Sequence, residues 1–166
     1  IVHNCGKTPQ ALGYLASNNK TALVVCPKTV RRKWNSEAIK FFNKYYNKEN
    51  VSEVTVKNIK KITDFSKFKL VSANYEMFKK MITSGILKEN MFDAIVIDES
   101  HKIKNKKAQL TLLALTVKKF FKHRICLTGT GVKNERKDLD TQLNFVNENF
   151  LNGGSLAGMT IGGAWN

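Results

Sequence analysis

Acidic side chains are scarce in this chain of 166 residues. Thirteen Asp and Glu stand against twenty-eight Lys and Arg, a formal net charge of +15 with His neutral. Such a balance excludes an acidic, solvating tail protein and asks for a polyanionic partner. Cysteine is also sparse. Cys5, Cys26 and Cys126 are an odd, widely spaced set without a Cys-x-x-Cys pair, which argues against a zinc site and against a disulfide framework. Cys26 and Cys126 each sit in an apolar run, where a thiol behaves as a small hydrophobe, and a reducing compartment suits all three. Long apolar runs are missing as well. None reaches the roughly 18 residues of a membrane span, and no signal-peptide pattern opens the chain. An intracellular location is therefore expected, cytoplasmic or nucleoid-associated, or nuclear in a eukaryote. Repeats and low-complexity linkers are absent.

What is present suits one folded domain. The hydrophobic content of 42 % is enough for a core, and 25 % charged residues is ordinary. The excess charge is uneven. Residues 1–90 carry seventeen basic and six acidic side chains, whereas residues 91–166 carry eleven and seven. Between Lys102 and Arg124 there are eight basic residues and no acidic one.

Periodicity alternates along the chain. Thr21 to Cys26, Phe68 to Ser72, Ala94 to Ile97 and Arg124 to Thr128 are short apolar runs that predict buried strands, and Val51 to Val56 alternates as a strand does. Between them, apolar residues recur at helical spacing: Val30, Trp34, Ala38, Phe41, Phe42 and Tyr45; Tyr75, Phe78 and Ile82; Leu110, Leu113, Ala114, Val117 and Phe121; Leu139, Leu143, Val146 and Phe150. Strands alternating with helices predict an α/β domain, a mainly parallel sheet with helices on both faces. In such a sheet, functional residues lie at the carboxyl ends of the strands. Gly153 to Asn166 holds five Gly and little periodicity, and reads as a loop or frayed end.

Three segments carry chemistry. Cys5-Gly6-Lys7-Thr8 precedes the helix-forming Ala11, Leu12 and Leu15. Gly-Lys-Thr at a helix start suits phosphate: backbone N–H groups attract it, Lys7 reaches its oxygens and the Thr8 hydroxyl can ligate Mg²⁺. Pro9 is tolerated because the first helical turn has no use for that N–H. Position 1, where a full phosphate-loop pattern has its first Gly, is Ile. Asp98-Glu99-Ser100-His101 follows the Ala94 to Ile97 run directly. Two carboxylates at a strand end need a cation or a proton; Asp98 suits Mg²⁺, and Glu99 suits orienting and deprotonating a water. Leu127-Thr128-Gly129-Thr130 ends another strand with small hydroxyl residues, and a plain turn would read the same.

In this order the three segments resemble the first RecA-like domain of superfamily-two helicases and translocases, and more narrowly the Swi/Snf-type DNA translocases. Gly6-Lys7-Thr8-Pro9-Gln10-Ala11-Leu12 is similar to their motif I. Leu23-Val24-Val25-Cys26-Pro27 with Trp34 and Glu37 is similar to motif Ia, and Val71-Ser72-Ala73-Asn74-Tyr75-Glu76 to motif Ib. Asp98-Glu99-Ser100-His101 with Lys102-Ile103-Lys104-Asn105 resembles motif II. Leu127-Thr128-Gly129-Thr130 with Asn134, then Leu143-Asn144-Phe145, resembles motif III and its following helix. The resemblance implies a RecA-like P-loop NTPase lobe over residues 1–150, with 151–166 as a tail leading to a second lobe. It implies ATP and Mg²⁺ as cofactors, with Cys5, Gly6, Lys7, Thr8, Pro9 and Gln10 at the nucleotide and Thr8 and Asp98 at the metal. Lys7, Asp98, Glu99 and His101 are the implied catalytic set, and Thr128, Gly129 and Thr130 couple ATP state to nucleic acid. Pro27, Lys28, Thr29, Ser72, Asn74 and Tyr75 are implied to face double-stranded DNA, rather than RNA. Position in the sheet adds Arg31, Lys102 and Lys104, since the basic clusters after Cys26 and after Asp98 should share one sheet edge and neutralise phosphates there. Trp34 could stack on a base, but its spacing with Phe41 favours core packing.

The sequence also departs from the family pattern. Asn4 stands where motif I usually has Gly, and Gly131 where Pro usually follows Thr-Gly-Thr. The strand that feeds motif I and the second RecA-like lobe, in cis or in trans, are expected outside this chain, and weak activity is expected of it alone. Two rival readings remain: a basic nucleic-acid-binding or protein-interaction module with a vestigial nucleotide site, and another P-loop enzyme such as a nucleotide kinase.

Overall fold

The computed structural model describes residues 6–62, 64–103, 107–129, 136–147 and 161–162, with the backbone alone for 136–139 and 161–162. Five strands form the body of the sheet: β1 (Ala22–Cys26), β2 (Val51–Val54), β3 (Leu70–Asn74), β4 (Ala94–Ile97) and β5 (His123–Leu127), and a two-residue β6 (Ile161–Gly162) lies beside β5. The order is β2-β3-β1-β4-β5-β6, and every neighbouring pair is parallel. The expected strands are all present, with ends shifted by one or two residues. The short pairing at Ile161 falls within the stretch read as a loop; the rest of 151–166 lies outside the described residues.

The helices are α1 (Lys7–Ser17), α2 (Arg31–Phe41), α3 (Tyr75–Thr83), α4 (Gln109–Val117) and α5 (Arg136–Val146). They cover both faces, because β1, β3 and β4 are buried at every position and side chains alternate across a strand. Leu23, Val25, Ile95 and Ile97 point into one core, with Met77, Phe78 and Met81 of α3 and Ala114 and Val117 of α4. Ala22, Val24, Cys26, Ala94 and Val96 point into the other, with Leu12 and Leu15 of α1 and Trp34 and Ala38 of α2. Fully burying each Val, Leu or Ile contributes about 1.5–3 kcal/mol, so these runs commit the chain to a two-sided sheet. The edge strand β2 is only half-buried at three of its four positions.

Parallel pairing decides where function can sit. Val25 is opposite Ala73 on one side and Ile97 on the other, and Ile97 is opposite Cys126. The residues that follow β1, β3, β4 and β5 therefore emerge together at one edge.

Both cores enclose a thiol. Burial pushes Cys26 and Cys126 from the ordinary 9.0 up to about 12, with the Asp98 charge adding to the effect at Cys26. A folded-state value raised above the unfolded one means stability that is present below pH 9 and lost as pH rises toward 12. Denaturant unfolding at pH 8 and pH 10 should show a loss of about 1 kcal/mol per thiol. A Cys26→Ala/Cys126→Ala chain should lose correspondingly less over that interval. An equal loss in both chains would refute the assignment.

Candidate nucleotide and nucleic-acid site

The phosphate-loop candidate stands at the start of α1. Gly6 is its N-cap, no side chain caps its first turn, and that turn holds no acidic residue. The N–H groups there carry partial positive charge uncompensated by any carboxylate of the helix. Lys7, Thr8 and Pro9 are half-buried and Gln10 is exposed, while Cys5 lies outside the described residues. The Lys7 Nζ donates to the Thr128 carbonyl, just beyond β5. Segments 121 residues apart in sequence thus meet at the carboxyl edge. An ammonium has three donors, so Lys7 can keep this contact and still face an anion.

Asp98 and Glu99 lie directly past β4. The Asp98 backbone N–H donates to the Val25 carbonyl at 2.8 Å, which carries the β1–β4 pairing to its last position. Its carboxylate is held twice: Oδ1 accepts the Glu99 backbone N–H at 2.9 Å and Oδ2 accepts the Trp34 Nε1–H at 3.0 Å. A hydrogen bond to a charged group contributes about 1.5–3 kcal/mol. The Tyr75 hydroxyl donates to the Asp98 carbonyl and lies 3.5 Å from the Glu99 carbonyl. Burial, then the Asp98 charge, then Cys26 and Glu99 hold this phenol well above its usual range, so it remains a donor.

Glu99 has φ of 54°, the left-handed region. For a residue with a Cβ this costs of order 1–3 kcal/mol and persists only where surroundings impose it. The turn swings the Glu99 carboxylate toward His101, whose Nδ1 is 3.1 Å from Oε2. The two groups are within ion-pairing distance but not aligned for a hydrogen bond. Ser100 is fully buried, and its hydroxyl donates to Gln142 Oε1 on α5 at 2.5 Å. Lys118 Nζ reaches Asn144 Oδ1 at 2.8 Å. The Ser100 contact ties the helix that follows the Thr128 turn to the carboxyl edge, and the Lys118 contact, just before β5, holds the far end of that helix at the opposite edge.

At four positions expected at the nucleic acid the side chains are engaged inside the fold. Arg31 is 8 % exposed, its Nε pairs with Glu53 Oε2 at 2.8 Å, and Nη1 reaches the Val54 carbonyl at 3.4 Å. Its charge is used inside the fold, binding α2 to β2. Ser72 is fully buried in β3 with no hydrogen-bond partner for its hydroxyl. Asn74 is buried, and its Oδ1 accepts the Met77 N–H as N-cap of α3. Tyr75 turns inward to the Asp98–Glu99 turn. By contrast, Lys28, Thr29 and Lys102 are exposed at the edge, and Pro27 is half-buried. Lys104 and Thr130 lie outside the described residues, as do Asn4, Gly131 and Asn134; Gly129 is exposed.

Sequence reasoning missed the Trp34–Asp98 bond. The signal was available, since a Trp at a core position still carries an N–H that must find an acceptor.

The residues present fit Mg²⁺. This ion prefers oxygen ligands and takes one or two carboxylates together with substrate phosphates, not an all-protein cage. The Thr8 hydroxyl and the Asp98 carboxylate offer oxygen atoms of that kind. Among the described residues there is no group of three or more His, Cys, Asp or Glu able to hold a metal, and no helix long and apolar enough to cross a membrane.

A family model described as SNF2-related domain matches residues 6–155. DNA repair and recombination protein RAD54B of Homo sapiens is 30 % identical over 143 residues, covering 83 % of this chain and 14 % of that protein. DNA excision repair protein CSB of Oryza sativa subsp. japonica is 26 % identical over 181 residues, covering 85 % of this chain and 15 % of that protein. Among solved structures, the Sulfolobus solfataricus SWI2/SNF2 ATPase core in complex with dsDNA superposes with a TM-score of 0.67 at 26 % identity, covering 86 % of this chain and 29 % of that one. The chain thus spans about one-seventh of the length of these curated relatives.

Proposed function

The chain belongs to the SNF2-related domain family, and from that premise we propose that it is the first, ATP-binding RecA-like lobe of a motor that couples ATP hydrolysis to translocation on double-stranded DNA. Residues 1–150 make the lobe and 151–166 lead toward a second lobe, in cis or in trans, that completes the active site. Proteins acting on DNA in repair are intracellular, and that location is proposed here.

The observation that carries this reading is the Lys7 contact with Thr128 beside the Asp98–Glu99 turn. It supports one site made from the three chemical segments. In this site the α1 N-terminus and Lys7 hold the phosphates as fixed positive charge, with Gly6, Pro9 and Gln10 shaping the turn. Thr8 and Asp98 hold Mg²⁺, which when bound neutralises developing charge on the phosphate oxygens. Glu99 orients a water and takes its proton, with His101 Nδ1 standing 3.1 Å from that carboxylate. Thr128 and Gly129, together with Thr130, connect the site to α5. Pro27, Lys28, Thr29 and Lys102 form the DNA-facing edge, and Lys104, outside the described residues, is proposed as a further phosphate contact.

Calorimetric titration with ATP and Mg²⁺ should show binding by this chain that Lys7→Ala weakens at least tenfold, the loss of a charge-assisted contact of about 1.5–3 kcal/mol. Heat that is absent, or unaltered by the substitution, would establish the alternative, a basic nucleic-acid-binding or interaction module with a vestigial nucleotide site.

A further inference from the structure

We propose that Trp34 and Tyr75 are positioning residues for Asp98, clasping its carboxylate and its carbonyl from opposite faces of the sheet so that it meets Mg²⁺ in one orientation. The inference rests on the nucleotide reading above. Trp34 belongs to the core between the sheet and α1 and α2. Tyr75 packs against the other core, with α3 and α4. Asp98 stands where the two cores meet the carboxyl edge. Trp34 is 1 % exposed and its Nε1–H reaches Oδ2 at 3.0 Å. Indole nitrogen can only donate, so this contact restricts the carboxylate's rotation and leaves the second lone pairs of both oxygens available to a cation. The Tyr75 hydroxyl anchors the Asp98 carbonyl, the peptide group leading into the left-handed Glu99. It therefore sets the direction in which both carboxylates emerge.

The base of the clasp is rigid. One turn before Trp34 on α2, Arg31 is pinned to Glu53 of β2 at 2.8 Å. Asn74, immediately before Tyr75, caps α3 through the Met77 N–H at 2.9 Å. Mg²⁺ demands near-ideal octahedral geometry. Partners behind a metal ligand are worth roughly 10–100-fold in metal affinity. Trp34 and Tyr75 therefore act on the metal through Asp98, and on ATP itself little.

The test separates those two quantities. ATP binding by the chain is measured calorimetrically in EDTA and across a Mg²⁺ series for wild type, Trp34→Phe and Tyr75→Phe, with Lys7→Ala as control. The Mg²⁺ concentration at half-maximal enhancement should rise roughly tenfold in Trp34→Phe and roughly threefold in Tyr75→Phe. ATP affinity in EDTA should stay within about twofold. General loosening of the fold would weaken both together. A third readout leaves the clasp intact. The chain has two Trp, Trp34 and Trp165. In a Trp165→Phe chain the sole indole N–H signal belongs to Trp34, and Mg²⁺ should shift it when ATP is bound. Should Trp34→Phe fail to fold, Tyr75→Phe and the indole signal decide. Unchanged Mg²⁺ midpoints in the folded variants, or an indole signal unmoved by Mg²⁺, would overturn the clasp. ATP binding that is absent, or indifferent to Lys7→Ala, would instead overturn the nucleotide reading and the clasp with it.

Discussion

Arg31→Ala should lower folding stability by about 3 kcal/mol, the low end for breaking a buried ion pair by removing one partner. The low end applies because the Glu53 side chain is 27 % exposed and water recovers part of its solvation. Three losses add up in this substitution. Glu53 is left without its cation, the Val54 carbonyl loses its contact with Nη1, and the buried stem leaves a gap beneath α2. Arg32→Ala, next in sequence but exposed, should change stability by no more than about 0.5 kcal/mol. Arg31→Lys should recover only part, since an ammonium cannot reproduce the forked geometry that serves both acceptors. Urea unfolding midpoints for the three variants decide the matter; equal values for Arg31→Ala and Arg32→Ala would show that the internal pair is inert.

Charge reversal at the sheet edge should have the larger effect on DNA. Lys28→Glu/Lys102→Glu should weaken binding to duplex DNA on the order of 100-fold at low salt and flatten the slope of log affinity against log salt by about 2, one unit per lost phosphate contact. Lys44→Glu/Lys48→Glu changes net charge by the same amount, but those exposed residues follow α2 and precede β2, away from the carboxyl edge. That chain should stay within about threefold of wild type. The comparison separates a located DNA track from the general attraction of a chain carrying +15. Equal losses in the two double variants would mean that the charge acts only as a diffuse field.

Much of this was legible in the residues. The runs LVV and AIVI are too apolar to face water on either side, and the helical spacings between the strands leave few topologies other than a parallel α/β sheet. Gly-Lys-Thr and Asp-Glu-Ser-His could be placed because strand ends in such a sheet are where chemistry sits. Less legible was anything that depended on where a particular side chain points. Ser72, Asn74 and Tyr75 lie in and just after β3 much as Lys28 lies just after β1, and both strands are interior, yet the three side chains are taken up inside the fold. One of the three is sealed within it, another spends its oxygen on a helix cap, and the last turns inward.

The division follows from the range of the forces. Hydrophobic periodicity and motif spacing act through near neighbours, so the amino-acid sequence by itself determined the layers, the location of the edge and the family. Pairing of polar groups depends on what folding brings alongside. Arg31 finds Glu53 22 residues away, Trp34 finds Asp98 64 away and Lys7 finds Thr128 121 away. A basic residue near a strand end reads the same whether its charge faces a phosphate or a buried carboxylate. Only the tertiary structure decided that Arg31 is paired inside the fold, while Lys28 and Lys102 stay exposed at the carboxyl edge.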